Sequence, residues 1–246
     1  MDRMLYVAMS GANEFMQAQS AIAQNLANVS TTGYRADVIS FKSLPLYGTG
    51  QPTRVYPLTV TAGVDTSPGT VVSTGRSLDV AVSGQGWIAV QAPDGSEAYT
   101  RAGDLRLTET GQLETGSGRP VLGNGGPIAI PQAESIDIGS DGTISIRPVG
   151  QTPQALAVVD RIKLVNPDPA QLTKGPDGLM HTTDGTTAPA DADVQLVSGS
   201  LESSNVNPVE AMVAMLEMAR QFEMQVKMMK TAQDNDASSA QLMQIK

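Results

Sequence analysis

Few residues in this chain could do chemistry. It has one histidine, His181, and no cysteine, so thiolate ligands, thiol nucleophiles and disulfides are ruled out. Histidine titrates near neutral pH and could serve as a base or a metal ligand. Nothing in Leu179-Met180-His181-Thr182 resembles a nucleophile elbow, so His181 reads as a packing or surface residue. Asp137, Asp141, Asp184, Asp191 and Asp193 offer carboxylates for acid–base work or cation binding. Asp141-Gly142 and Asp184-Gly185 are more simply turns, and no spacing fits a calcium loop. Gly116-Ser117-Gly118 and Gly123-Asn124-Gly125-Gly126 lack the lysine and the strand–loop–helix setting of a phosphate cradle, and they read as hairpin loops. The expectation is no catalytic site, no cofactor and no metal.

Composition narrows the partners. The 246 residues carry a net charge of −9, which argues against nucleic acid and against an anionic membrane surface. No stretch approaches the roughly 18 apolar residues of a membrane span. Met1–Ala12 does not read as a secretory signal: Asp2 offsets Arg3, Ser10 and Gly11 break the apolar run, and the helical pattern continues. Aromatic content is 4% with one tryptophan, Trp87, so the core must rest on Val, Leu, Ile and Ala.

The methionines reveal the organisation. All of them except Met180 fall within residues 1–16 or 212–243. Glycine and proline do the reverse, being absent between Gly11 and Gly33 and after Pro208. The first helix is expected from about Asp2 to Ala27, with Leu5, Ala8, Ala12, Phe15, Gln19, Ile22, Leu26 and Val29 in three–four alternation. Asn28 is placed to close it in a left-handed conformation before the turn Ser30-Thr31-Thr32-Gly33. The second helix opens on Asn207 as N-cap, with Pro208 at N1 and Glu210 at N3. Its seam is read as Met212, Met215, Ala219, Phe222, Val226 and Met229, with Met218, Met224 and Met228 off it. The pattern fades past about Gln233, where fraying is expected.

Between the helices the period changes to two. Leu78–Val82, Trp87–Val90, Tyr99–Arg101, Leu105–Leu107, Ile136–Ile138 and Ile144–Ile146 read as strands separated by turns such as Pro93-Asp94-Gly95 and Glu109-Thr110-Gly111. The expected fold is α+β: long N- and C-terminal helices forming a coiled-coil-like stalk, enclosing a mainly antiparallel all-β central domain. Its segments are 1–36 (helix and turn), 37–76 (irregular connector), 77–200 (β domain) and 201–246 (C-terminal helix). At 1.5 Å per residue each helix is roughly 40 Å long. A buried Leu, Phe or Met contributes ~1.5–3 kcal/mol, whereas ordering a residue's backbone costs ~1–2 kcal/mol. A two-helix seam with several Ala positions is therefore marginal alone, and the stripes are expected to be covered by neighbouring subunits.

Several long motifs resemble one family, the rod and hook axial proteins of the bacterial flagellum. Gln24-Asn25-Leu26-Ala27-Asn28-Val29-Ser30-Thr31-Thr32-Gly33-Tyr34-Arg35 resembles its N-terminal signature. Leu78–Trp87 and Tyr99–Leu105 are similar to its β-body motifs, and Leu201–Val213, with Asn205 and Val206, to its C-terminal signature. Trp87 and Ile88 stand where members often carry paired Phe, and Ser30 where Asn is common. The opening residues, short connector and length look most like the proximal rod members, with the distal rod next and a β-sheet binding module or adhesin as the reading from another class. The resemblance implies copies of itself and other flagellar rod proteins as partners. It also implies passage through the flagellar type III export apparatus without a cleaved signal, and a place in the rod across the periplasm with no membrane insertion. The packing residues named for that role are Leu5, Ala12, Phe15, Ile22, Leu26, Met212, Met215, Ala219, Phe222, Val226 and Met229.

Overall fold

A computed structural model describes residues 4–45, 55–148 and 156–244. The chain forms two compact units. One holds the terminal segments through Asn28 and from Val206 together with Asp37–Gly63; the other holds Val29–Ala36 and Val64–Asn205.

In the first unit, helix α1 spans Met4–Ala27 and helix α2 spans Pro208–Gln244. The expected start at Asp2 lies outside the described residues. Asn207 caps α2 as its type predicts, its Oδ1 accepting the Val209 N–H at 3.1 Å. With no Gly or Pro to stop it, the helix continues past Gln233 to Gln244. Its polar turns fold back on themselves, as where the Ser238 hydroxyl donates to the Asp234 carbonyl at 2.9 Å. Asn28 is not left-handed, since every described residue with positive φ is a glycine. Instead the Asn28 side-chain amide donates to the Gln24 carbonyl at 2.9 Å, and the reversal falls on Gly33, with φ +67°.

The connector is not irregular. Asp37–Pro45 forms β1, Val55–Val64 forms β2, and the two strands pair with each other. Prolines weighed too heavily in the sequence reading. Pro45 ends β1 and Pro57 lies in a two-stranded ribbon, where every strand is an edge and a missing N–H is tolerated.

The second unit is built from short antiparallel pairings. Strands β3 (Val71–Ser73), β4 (Val80–Ser83), β5 (Trp87–Gln91) and β6 (Glu97–Thr100) lead into it. A five-stranded sheet runs in the order Leu164–Val165, β5, β6, Met180–Thr182, Leu172–Lys174. Ala133–Ile138, Thr143–Pro148 and Ala157–Arg161 form a three-stranded sheet, while β4 pairs with Gln195–Ser198 and β3 with Ser200–Glu202. Strand β5 shows why Trp87-Ile88-Ala89-Val90 is an unbroken apolar run. Ile88 and Val90 enter the main core with Val80, Leu105, Leu113, Val121, Ile128 and Ile144. Trp87 and Ala89, on the opposite face, join Tyr99, Val165, Leu172 and Met180. The predicted turns at Asp94-Gly95, Thr110-Gly111, Asp141-Gly142 and Asp184-Gly185 all place glycine at positive φ. This unit reaches further than 77–200, taking in Val29–Ala36 and Val64–Asn205.

Candidate functional site: the helix seam and the signature clamp

Helices α1 and α2 pack on one another through small residues. On α1 the buried positions are Ala8, Gly11, Ala12, Ala18 and Asn25, and on α2 Ala232 is buried. A Cβ on Gly11 would stand 3.1 Å from Cδ of Gln225, so this glycine lets the side chain of α2 close in. Of the packing residues read from the sequence, Ala12 is buried, and Leu5, Phe15, Ile22, Leu26, Met215, Ala219, Phe222 and Met229 are half-buried. Met212 and Val226 are not in the seam, being 54% and 43% exposed. The half-buried line of α2 runs instead through Ala211, Met215, Met218, Phe222, Gln225 and Met229 to Ala232, still in three–four alternation. The reading slipped by one position because methionine stands on both faces and a polar Gln225 occupies the seam. Ala18 and Ala232 were missed because alanine carries little hydrophobic signal. Phe15 reaches the paired strands, its ring centroid 5.7 Å from that of Phe41.

Outside this seam, both helices keep large apolar side chains in solvent. Tyr6, Met9 and Met16 on α1 and Val209, Met212, Val213, Leu216, Met224 and Met228 on α2 are exposed. Val38, Phe41, Leu44, Val55 and Leu58 of the paired strands are exposed as well.

The signature residues sit elsewhere and do different work. In the β-rich unit, the Glu202 carboxylate is fully buried and accepts from Arg35 Nη2, from the Gly69 N–H at 2.8 Å and from Arg101 Nη1 at 3.0 Å. Two buried guanidiniums thus share one carboxylate. Trp87 offsets the excess positive charge, its ring centroid lying 5.8 Å from Arg35 Cζ and 5.4 Å from Arg101 Cζ. Burial pulls the Arg101 guanidinium below its ordinary range, Glu202 opposes that shift, and Arg35 adds to it. The Gly33 N–H donates to the Glu202 carbonyl at 2.8 Å, and a Cβ on Gly33 would lie 2.2 Å from the Arg101 carbonyl carbon. Lys174 Nζ donates to the Arg35 carbonyl at 2.9 Å and stands 4.0 Å from the Tyr34 ring centroid.

Asn25 is buried, Asn28, Tyr34, Asn205 and Val206 are half-buried, Leu26 lies toward the seam, and Ala27 is exposed. The sequence reading quoted Arg35, Arg101 and Glu202 inside its motifs without assigning them a role. Separations of 167 and 101 residues to Glu202 hide such pairs from any local pattern. His181 is half-buried, with Nε2 3.2 Å from both Asp177 carboxylate oxygens. Among the described residues no group of three or more His, Asp or Glu could hold a metal ion, and no helix is long and apolar enough to cross a membrane.

Comparison with known proteins places three segments of the chain in one family. Residues 5–35 match the family "Flagella basal body rod protein", 81–146 the "Flagellar hook protein FlgE/F/G D1 domain", and 197–242 the "Flagellar basal body rod FlgEFG protein C-terminal". The flagellar basal-body rod protein FlgF of Salmonella typhimurium is 41% identical over 249 residues, covering 99% of both chains. The chain belongs to the FlgF-like flagellar rod proteins. FlgF of Escherichia coli is 42% identical over 249 residues, again across 99% of each chain. FlgG of Bacillus subtilis is 34% identical over 255 residues, covering 94% of this chain and 96% of its own. The chain is thus a structural subunit of the proximal rod, and the distal-rod and binding-module alternatives are not favoured. Each member of the ion-paired clamp falls inside a segment this family shares: Arg35 in the first, Arg101 in the second and Glu202 in the third.

Proposed function

We propose that this rod subunit polymerises through the outer faces of α1 and α2, with copies of itself and other rod proteins covering them, and so transmits torque. The carrying observation is the apolar surface left over once the two helices have paired. Leu216 is 61% exposed and Tyr6 58%, although the seam between the helices is already filled. Helices that are apolar on more than one face need more than one packing partner. A heterologous contact that does not close on itself yields a filament, which is the form a rod requires.

The packing set in a rod then includes Met212 and Val226, which the paired helices leave uncovered, together with Val213 and Leu216. The chain serves as a mechanical part rather than an enzyme. It works at the flagellar basal body, across the periplasm, after export by the type III apparatus. Membership of the flagellar rod family supports this reading. The proposal is tested with Leu216→Glu, which puts a charge on the outer face and leaves the inner seam alone. Each lost contact of this kind costs about 2 kcal/mol or more, roughly 30-fold in subunit affinity. Basal bodies from that strain should lack the subunit while the purified variant keeps its thermal transition; normal incorporation and swimming would defeat the proposal.

A further inference from the structure

Methionine supplies much of the apolar surface that α1 and α2 leave in solvent. Met9 and Met16 on α1 and Met212 and Met224 on α2 are each more than half exposed. They stand in stripes rather than singly. Met9 follows the exposed Tyr6 by three residues and precedes Met16 by seven. Met212 lies three after Val209 and four before Leu216, and Met224 four before Met228, all of them exposed. Residues three, four and seven apart share a helix face. Each stripe therefore carries sulfur where leucine would fill nearly the same space. By contrast, Met215, Met218 and Met229 are half-buried, and Met180, in the β-rich unit, is buried.

Leucine at these positions would be inert, whereas a thioether is not. The chain has no cysteine and its one tryptophan is buried, so the exposed thioethers are the groups a peroxide meets first. The sulfur lone pair attacks one oxygen of hydrogen peroxide. A sulfur–oxygen bond forms, the oxygen–oxygen bond breaks, and the departing hydroxide takes the remaining proton to leave as water. Sulfur loses two electrons and the peroxide gains them. An adaptable apolar side chain thus becomes a polar sulfoxide whose oxygen needs a hydrogen-bond donor. In solvent, water provides one. Against the apolar stripe of another copy nothing does, and each such unpaired oxygen should lower subunit affinity about tenfold.

We propose that Met9, Met16, Met212 and Met224 are oxidation sites through which peroxide keeps the free subunit out of the rod, while incorporation shields the same sulfurs. This rests on the reading that the outer helix faces polymerise. Two measurements test it. The purified chain would be treated with hydrogen peroxide and its peptides weighed over time. These four methionines should gain oxygen at least about tenfold faster than buried Met180; equal rates would overturn the proposal. Next, one strain would express the wild-type chain together with a Met9→Leu/Met16→Leu/Met212→Leu/Met224→Leu chain, and basal bodies would be isolated after growth with and without peroxide. Peroxide should shift their ratio about tenfold or more toward the leucine chain; an unmoved ratio would overturn the proposal. If the leucine chain enters no rods even without peroxide, a Met212→Gln/Met224→Gln chain decides, since its amides stand in for the sulfoxides without charge. Co-expressed with wild type and without oxidant, it should be about tenfold or more under-represented in basal bodies while keeping the thermal transition of the purified wild type. Equal representation, or exclusion accompanied by a lowered transition, would overturn the proposal. The Leu216→Glu strain separates the two readings. Normal entry of that variant defeats the polymerising face itself, whereas its exclusion alongside an unmoved peroxide ratio defeats only the oxidation sites.

Discussion

Glu202 illustrates how much can depend on one buried charge. Its carboxylate is the shared counter-ion of Arg35 and Arg101. Glu202→Gln would leave two buried guanidiniums facing each other and should cost about 3–5 kcal/mol. Urea unfolding followed by the fluorescence of Trp87, the only tryptophan and a neighbour of both arginines, would measure it. Exchanging all three charged residues for apolar ones should cost less than that single change, because no unpaired charge remains. Tyr99 makes a prediction about pH. Burial pushes its phenol up to about 12, against the opposing bond from the Ala188 N–H, which its oxygen accepts at 2.7 Å. The folded chain therefore keeps this proton where the unfolded chain, with an ordinary phenol near 10, releases it. Stability should fall as pH rises between 10 and about 12, and Tyr99→Phe should flatten that decline in denaturation curves taken at stepped pH. Removing the phenol oxygen also leaves the Ala188 amide without its partner, at about 1–3 kcal/mol near neutral pH.

Each helix was legible in the residues because periodicity, capping and the absence of Gly and Pro are local signals. The partner-facing stripe was not. Met212 and Val226 are apolar and correctly spaced, yet the actual seam follows Met218 and Gln225. Helical spacing fixes which residues share a face, and only packing chooses among faces that are all apolar. Gly11 is the residue by which α1 meets Gln225 of α2. Gly11→Leu should drive the pair apart there and reduce its stability by about 1–3 kcal/mol. Circular dichroism should show loss of helix at lower denaturant than wild type, with the β-rich transition unmoved. Strands β1 and β2 were hidden for a related reason. Val55-Tyr56-Pro57-Leu58 carries strand-forming residues, but its proline outweighs them until a two-stranded pairing makes that proline harmless.

In the proposed rod, neighbouring subunits cover helix faces that the isolated subunit leaves exposed. In dilution nothing covers Tyr6, Met9, Leu216 or Met224, and the seam that remains is built largely of small side chains worth little on burial. Amides of residues 4–27 and 208–244 should then exchange at least about a hundredfold faster than those of β5 and β6, whose residues lie in the buried cores. Raising the concentration should slow the helices selectively. Strong protection of both helices in dilute monomer would show that the pair is self-sufficient and that polymerisation is not what orders it.

The residues alone determined two terminal helices, a β-rich middle, its glycine turns and the axial-protein resemblance, because each is written in neighbouring positions or in contiguous motifs. The tertiary structure decided which helical face pairs inwardly and which stays exposed. It also decided that Arg35, Arg101 and Glu202 meet beneath Trp87. Such choices depend on charge pairing and close approach between residues far apart in the chain, and no local period records them.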